Sequence, residues 1–439
     1  MADLLELAEK AWNGELDTVF EHHPVHTHYE GSCELEPGLL ALKGIAGHYV
    51  IDTGDGLVML DAGSLLDVQR TYDEVRRWRP ETPVVAAIFS HHHVDHIFAV
   101  QRFEEEAAAK GWPAPRVYAH ELTPDHFDRY QRTLGWNTAI NRRQFAIDAP
   151  RFRWPERYRY PDVVYRDRAS FGCGALTFHI HHGRGETDDH SWTWIPEREI
   201  LAPGDLFIYA FPNAGNPQKV QRYVGDWADA LERMAGLGAR LMLPGHGLPI
   251  LGAERIRTAL SDTAACLRSI EDQTLALMNE GLSLDQVLHG VKLPVELMQK
   301  PYLRPVYDDP RFLIRMVWRR YGGWWDGEFD SLLPAPKSER AAEWIALAGG
   351  TAPVLERARE LSALGRHELA CHLVEAAAHA APDDAAVHEV RAAVYRASSR
   401  VQTSSMARNI LNHAALASGQ GRRDLAGGSE AGSRAGGRT

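Results

Sequence analysis

Four candidate metal ligands fall in one turn at the end of a strand. Pro83-Val84-Val85-Ala86-Ala87-Ile88-Phe89 is apolar and rich in β-formers, and Ser90-His91-His92-His93-Val94-Asp95-His96 follows it without a break. In extended backbone, side chains two apart face the same way, so His91 and His93 can grip one ion while His92 points elsewhere. Asp95 and His96 lie past the bend, placed for a second ion. Nitrogen and oxygen donors without cysteine suit zinc or another borderline divalent ion and argue against a cysteine-based structural zinc site. The apolar Ile97-Phe98-Ala99-Val100 that follows makes a solvated histidine-rich surface turn a poor description. The chemistry expected is that of a metal-activated water.

The pattern His-x-His-x-Asp-His resembles that of the metallo-β-lactamase superfamily. Upstream, the stretch from His48 to Gly63 reads strand, turn, strand, and the resemblance makes Asp61 a buried carboxylate that braces the metal loop. It implies an α/β fold, the αββα sandwich of that superfamily, and a site completed by later loops. Gly183-Arg184-Gly185-Glu186 falls where most members carry a third histidine, so Glu186 takes that place, with His182 and His190 near enough to substitute for it. Asp205, in Pro203-Gly204-Asp205 at a strand end, is expected to bridge two metals, and His246, after the apolar Leu241-Met242-Leu243, closes the set. The expected ligands are His91, His93 and Glu186 on one ion, Asp95, His96 and His246 on the other, and Asp205 shared, with Asp95 and Asp205 taking part in catalysis.

Glutamate at the third-histidine position is a trait of the alkylsulfatase branch, and two further passages resemble it. These are Tyr321-Gly322-Gly323-Trp324-Trp325-Asp326-Gly327 and the Leu347-Ala348-Gly349-Gly350 that precedes helical hairpins. The resemblance covers the chain from about Leu40 to Ala417 and implies an alkylsulfatase dimerisation domain, hence a homodimer. Arg222 falls where the family keeps a sulfate-binding arginine, and Asn137, Arg142 and Arg143 form the nearest match to a family Asn-Ala-x-x-Arg-Arg stretch. A guanidinium can meet two anion oxygens at once. Asp205 stands where the family carries glutamate. The function implied is hydrolysis of an anionic ester, an alkyl sulfate to alcohol and sulfate, with two divalent ions, zinc foremost. The rivals are another hydrolase of the same fold acting on a phosphoester, lactone or thioester, and a redox iron protein.

The remainder of the sequence limits the alternatives. The net charge of −11, with no long basic stretch, disfavours a nucleic-acid partner. No apolar run approaches the ~20 residues of a membrane span, and the start Met1-Ala2-Asp3-Leu4-Leu5-Glu6 lacks the layout of a secretory signal, so a cytoplasmic protein is expected. Cys33, Cys173, Cys266 and Cys371 are far apart and suggest free thiols. Strand-like and helical runs alternate up to about residue 255, after which apolar spacings of three and four predict helices. Breaks at Gly349-Gly350, Gly365 and Pro382 give about five short helices in antiparallel hairpins. The expected division is a catalytic part over 1–255, a helical link over 256–335, an all-α dimerisation part over 336–417 and a disordered tail over 418–439. His22, His23, His26 and His28 lack a strand-turn context and are expected at the surface.

Overall fold

The computed structural model describes residues 4–26, 32–149 and 151–426. The chain divides into two compact units, one built from the segments up to Arg132 and from Pro155 to Trp324, the other from Thr133–Trp154 and from Trp325 onward.

The first unit holds two sheets. In one, β1 (Ser32–Glu36), β2 (Leu39–Lys43), β3 (Gly47–Asp52) and β4 (Leu57–Leu60) form an antiparallel meander. The parallel strands β5 (Val84–Ile88), β6 (Arg116–His120) and β7 (Val163–Tyr165) extend it. In the other, β8 (Arg168–Cys173), β9 (Leu176–His182), β10 (Ser191–Ile195) and β11 (Ile200–Gly204) run antiparallel. There β12 (Leu241–Pro244) pairs parallel to β11, and β13 (Ile250–Leu251) closes the edge. Tyr49, Ile51, Val58, Leu60 and Ile88 of the first sheet share one core with Phe178, Ile180, Trp192, Leu201 and Leu241 of the second. Helices cover the outer faces, which makes the unit an αββα sandwich.

The long helix Ala253–Asn279 shows why the predicted boundary at 255 is not where the unit ends. It buries Ile256, Ala259, Leu260, Thr263, Leu267, Ile270 and Thr274, a stripe at spacings of three and four, and most of that stripe belongs to the sandwich core. The predicted link over 256–335 is therefore part of the first unit as far as Trp324.

In the second unit, helices Lys337–Leu347, Thr351–Ala363, His367–Ala380, Ala385–Arg400 and Ser405–Gly419 follow the breaks expected from glycine and proline. Gly349 and Gly350 have φ of 81° and 113°, a left-handed backbone that glycine adopts without strain. Ile345, Leu355, Ala358, Ala370, Val374, Val387 and Val390 form the core. Two corrections arise here. Helix Leu134–Gln144, expected within the catalytic part, packs on Ser405–Gly419, and Arg143 pairs with Asp424 at 2.6 Å. The tail does not begin at 418: the last helix runs to Gly419, and Leu425 and Ala426 are buried, while 427–439 lie outside the described residues. Among the described residues all four cysteines are free, and no helix is long and apolar enough to cross a membrane.

Candidate metal centre

All the loops that carry the expected ligands leave the carboxyl ends of strands in the first unit, where open α/β sheets usually bind ligands. β4 delivers Asp61, β5 the His91–His96 turn, β9 the loop to Glu186, β11 Asp205 and β12 His246. The pairing of β11 with β12 shifts register between Leu201 and Gly204, and such an irregularity re-aims the next side chain, here Asp205.

Two groups of donor atoms result. His91, His93, Glu186 and Asp205 form one, Asp95, His96 and His246 the other, and within each the ligand atoms lie within 4.8 Å of one another. His91 Nε2 is 2.8 Å from His93 Nδ1 and 3.8 Å from Glu186 Oε2. His246 Nε2 is 3.4 Å from Asp95 Oδ2. Asp205 serves both groups: one oxygen is 3.9 Å from His91 Nε2 and 3.3 Å from His246 Nε2, and the other is 3.3 Å from His96 Nε2.

The outward sides of the rings set their tautomers. Ser90 donates its hydroxyl to Asp61 Oδ2 at 2.9 Å and so accepts from His91 Nδ1, also at 2.9 Å. His96 Nδ1 meets Asp61 Oδ2 at 2.8 Å, and His246 Nδ1 meets the carbonyl of Ile45 at 2.8 Å. Each of these three imidazoles therefore keeps a proton on Nδ1 and turns Nε2 inward, the nitrogen from which a metal would displace any second proton. Asp61 also accepts from Ser90 N at 2.7 Å and has a φ of 56°, a left-handed conformation that a non-glycine residue holds only where its surroundings enforce it.

The donor set fits divalent ions. His96 Nε2, Glu186 Oε2 and Asp205 Oδ1 are buried and have no hydrogen-bond partner, although buried polar atoms are normally satisfied. The electrostatics agree. Burial works against ionisation of Asp205 and Asp95, yet His246 and His96 beside them carry both carboxyls below the usual range. His96 moves the other way: burial opposes its charge, and Asp205, Asp95 and Asp61 outweigh that. Asp95 and Asp205 thus attract a cation in their midst, whereas burial, against the opposing pull of Arg222, raises the Glu186 carboxyl to about 8.

Glu186 is held on its far oxygen. Asn213 Nδ2 and Arg222 Nη1 both bond Oε1, which leaves Oε2 for His91 and His93. Arg222 is 2% exposed, donates to the carbonyl of Asn213 at 2.9 Å, and keeps a buried Nε without a partner. His182 and His190 have other uses: His182 Nε2 meets the carbonyl of Asp188 at 2.8 Å, and His190 Nε2 accepts from Asp205 N at 3.0 Å. Asn137, Arg142 and Arg143 lie in the second unit, where Asn137 donates to Thr133 Oγ1 at 2.8 Å.

Several residues at the site carry no sequence signal. Asn213 has no motif around it. The Lys219 ammonium lies among Arg222, Glu186, Asp95 and Arg129, and burial followed by Arg222 lowers its pKa to about 7. Burial, then Glu186 and Asp95, push the Tyr307 phenol well above its ordinary range. His23, expected at the surface, is buried with Nε2 3.1 Å from the carbonyl of Val306, and His26 lies edge-on to Tyr307 at 5.9 Å. His28 is outside the described residues.

Comparison with known proteins matches residues 48–246 to the metallo-beta-lactamase superfamily and residues 283–421 to the alkyl sulfatase dimerisation family. A linear primary-alkylsulfatase from a Pseudomonas strain is 26% identical over 79% of this chain and 69% of its own length. An (R)-specific secondary-alkylsulfatase from Pseudomonas is 27% identical over 78% of this chain but 56% of its own length. The chain thus spans between about half and two thirds of such relatives. The stereoselective inverting sec-alkylsulfatase Pisa1 from Pseudomonas shares the fold, with a TM-score of 0.79 at 23% identity over 89% of this chain and 66% of that one.

Proposed function

The chain belongs to the metallo-beta-lactamase superfamily and carries an alkyl sulfatase dimerisation domain, and from that premise we propose that it hydrolyses alkyl sulfate esters to alcohol and sulfate with two divalent ions, zinc foremost. The observation that carries the reading is the pair of inward-facing donor groups joined by Asp205, with Glu186 where most of the superfamily has histidine. We assign His91, His93 and Glu186 to the first ion, Asp95, His96 and His246 to the second, and Asp205 to both.

When bound, two such ions polarise an ester oxygen and lower the pKa of a water from ~15.7 toward ~7. The chain's own part is positional and electrostatic. Asp61 and Ser90 hold His91 and His96 in the required tautomer, and Asn213 and Arg222 hold Glu186. The Arg222 Nε and the Lys219 ammonium supply positive charge for the sulfate oxygens. Asp95 and Asp205 are kept ionised, and one of the two accepts the single proton that the attacking water gives up. The substrate is then a small anionic ester, and the helical unit makes a homodimer.

A hydrolysis screen on zinc-loaded protein tests the reading, with linear and secondary alkyl sulfates, alkyl phosphates, a lactone and a thioester compared at equal concentration. Turnover of alkyl sulfates at least tenfold above the others is expected. Preference for a phosphoester, lactone or thioester overturns the substrate assignment, and absence of bound metal overturns the mechanism.

A further inference from the structure

We propose that Asp189, acting through His92, is a positioning residue that sets the geometry of the first metal position, the one formed by His91, His93 and Glu186. The inference rests on the two-metal reading above. His92 stands between two ligands of the same ion, in the bend that follows β5, and its ring is taken up by groups other than those that face the ion. The ring does not reach solvent: it is 1% exposed.

Its destination is one carboxylate. Asp189 Oδ2 accepts from His92 N at 3.0 Å and from Thr123 Oγ1 at 2.9 Å, while Oδ1 meets His92 Nδ1 at 2.9 Å. Arg129 donates to His92 Nε2 at 3.0 Å, so that nitrogen is the acceptor and Nδ1 carries the proton it donates in a hydrogen bond to Asp189. The His126 ring stacks on His92 at 4.0 Å and is itself tied to Asp188 Oδ1 at 2.5 Å. His92, His126 and Asp189 have donor atoms within 4.8 Å, but the guanidinium on His92 and the engaged oxygens of Asp189 leave no place for a third cation.

The consequence is mechanical. A backbone bond and a side-chain bond to the same carboxylate fix the peptide at residue 92, and with it the separation of His91 from His93. Asp189 lies on the loop of Glu186 and directly precedes His190, which accepts from Asp205 N and stacks on His91 with ring centroids 4.6 Å apart. One residue thus links the β5 turn, the Glu186 loop and the helix Thr123–Arg132. The second ion's ligands have their own supports, Asp61 for His96 and the Ile45 carbonyl for His246.

The test is stepwise zinc affinity, measured by competition with a chromophoric chelator, with cobalt absorption reporting each position. Asp189→Asn should weaken one binding step by about 10- to 100-fold, as loss of a ligand's support generally does, and leave the other within about threefold. Thr123→Val, which removes one bond to the same carboxylate and is the milder change, should weaken the same step by roughly 2- to 10-fold. Unchanged affinities in a wild-type background that binds two ions overturn this inference alone, as does equal weakening of both steps. If Asp189→Asn does not fold, Thr123→Val decides by the same criteria. A wild-type protein that binds no zinc overturns the two-metal reading instead.

Discussion

Arg222 meets two demands with one guanidinium. Its Nη1 neutralises Glu186, and its Nε is left over in a buried position. Removing one partner of a buried ion pair leaves the other charge unpaired, at about 3–5 kcal/mol. Arg222→Ala also releases Glu186 Oε1 from one of the two groups that orient it, and that loss of positioning should lower zinc affinity at the first position. At saturating zinc it should still lose about 1.5–3 kcal/mol in kcat/KM on alkyl sulfates relative to a neutral ester. A variant equally impaired on both substrates once zinc is saturating would make the arginine purely a support for Glu186. His93→Ala and Asp95→Ala should each abolish turnover and bind less metal, read by elemental analysis, because they belong to different donor groups. Lys219→Gln should retain metal and raise KM for sulfate esters by roughly tenfold, the effect of one charge-assisted contact; an unchanged KM in steady-state assays would remove the lysine from the anion site.

The elements that converge on the site do so through close backbone approach. β11 ends in Gly204, whose φ of 54° suits glycine, and Gly245 lies so near that a Cβ there would come 2.1 Å from Asp205 Oδ1 and 2.6 Å from the Gly204 carbonyl carbon. Backbone cannot yield as a flexible side chain can. Gly245→Ala should displace Asp205 and cost both ions, while the far-ultraviolet circular dichroism keeps its native shape. Normal zinc stoichiometry in that variant would show that the loop after β12 tolerates the shift. The same loop is tied from the other side by Lys43, which donates to the Gly247 carbonyl at 2.8 Å, and by Tyr49, which donates to Pro244 at 2.8 Å.

As an assembly, the protein offers an apolar face on its helical unit. Trp344 and Leu347 are 68% and 83% exposed on helix Lys337–Leu347, whose other side buries Ala341 and Ile345. Large exposed apolar side chains grouped on one helix mark an interaction surface, and two-fold dimers are the commonest use. Light scattering at micromolar concentration should give a dimer, and a Trp344→Glu, Leu347→Glu double variant a monomer that still binds zinc. A monomeric wild-type protein contradicts the assembly outright.

Much of the site was legible along the chain because its donors are local. The two-apart spacing of His91 and His93 marks them as one pair, although β5 ends at Ile88 and the three histidines stand in the bend after it, and strand-turn contexts point to Asp205 and His246. The five hairpin helices were legible for the same reason, since glycine and proline interrupt a periodic pattern. What neighbouring residues cannot specify is which distant backbone closes on which. His246 takes its tautomer from Ile45, 201 positions away, and His92 its anchor from Asp189, 97 positions away. Helix Leu134–Gln144 joins the C-terminal unit partly through Arg143 and Asp424, 281 positions apart. Local sequence sets the direction of a side chain relative to its own strand or helix; the partner at the end of that direction is chosen by packing of the folded core, which no short window of residues contains.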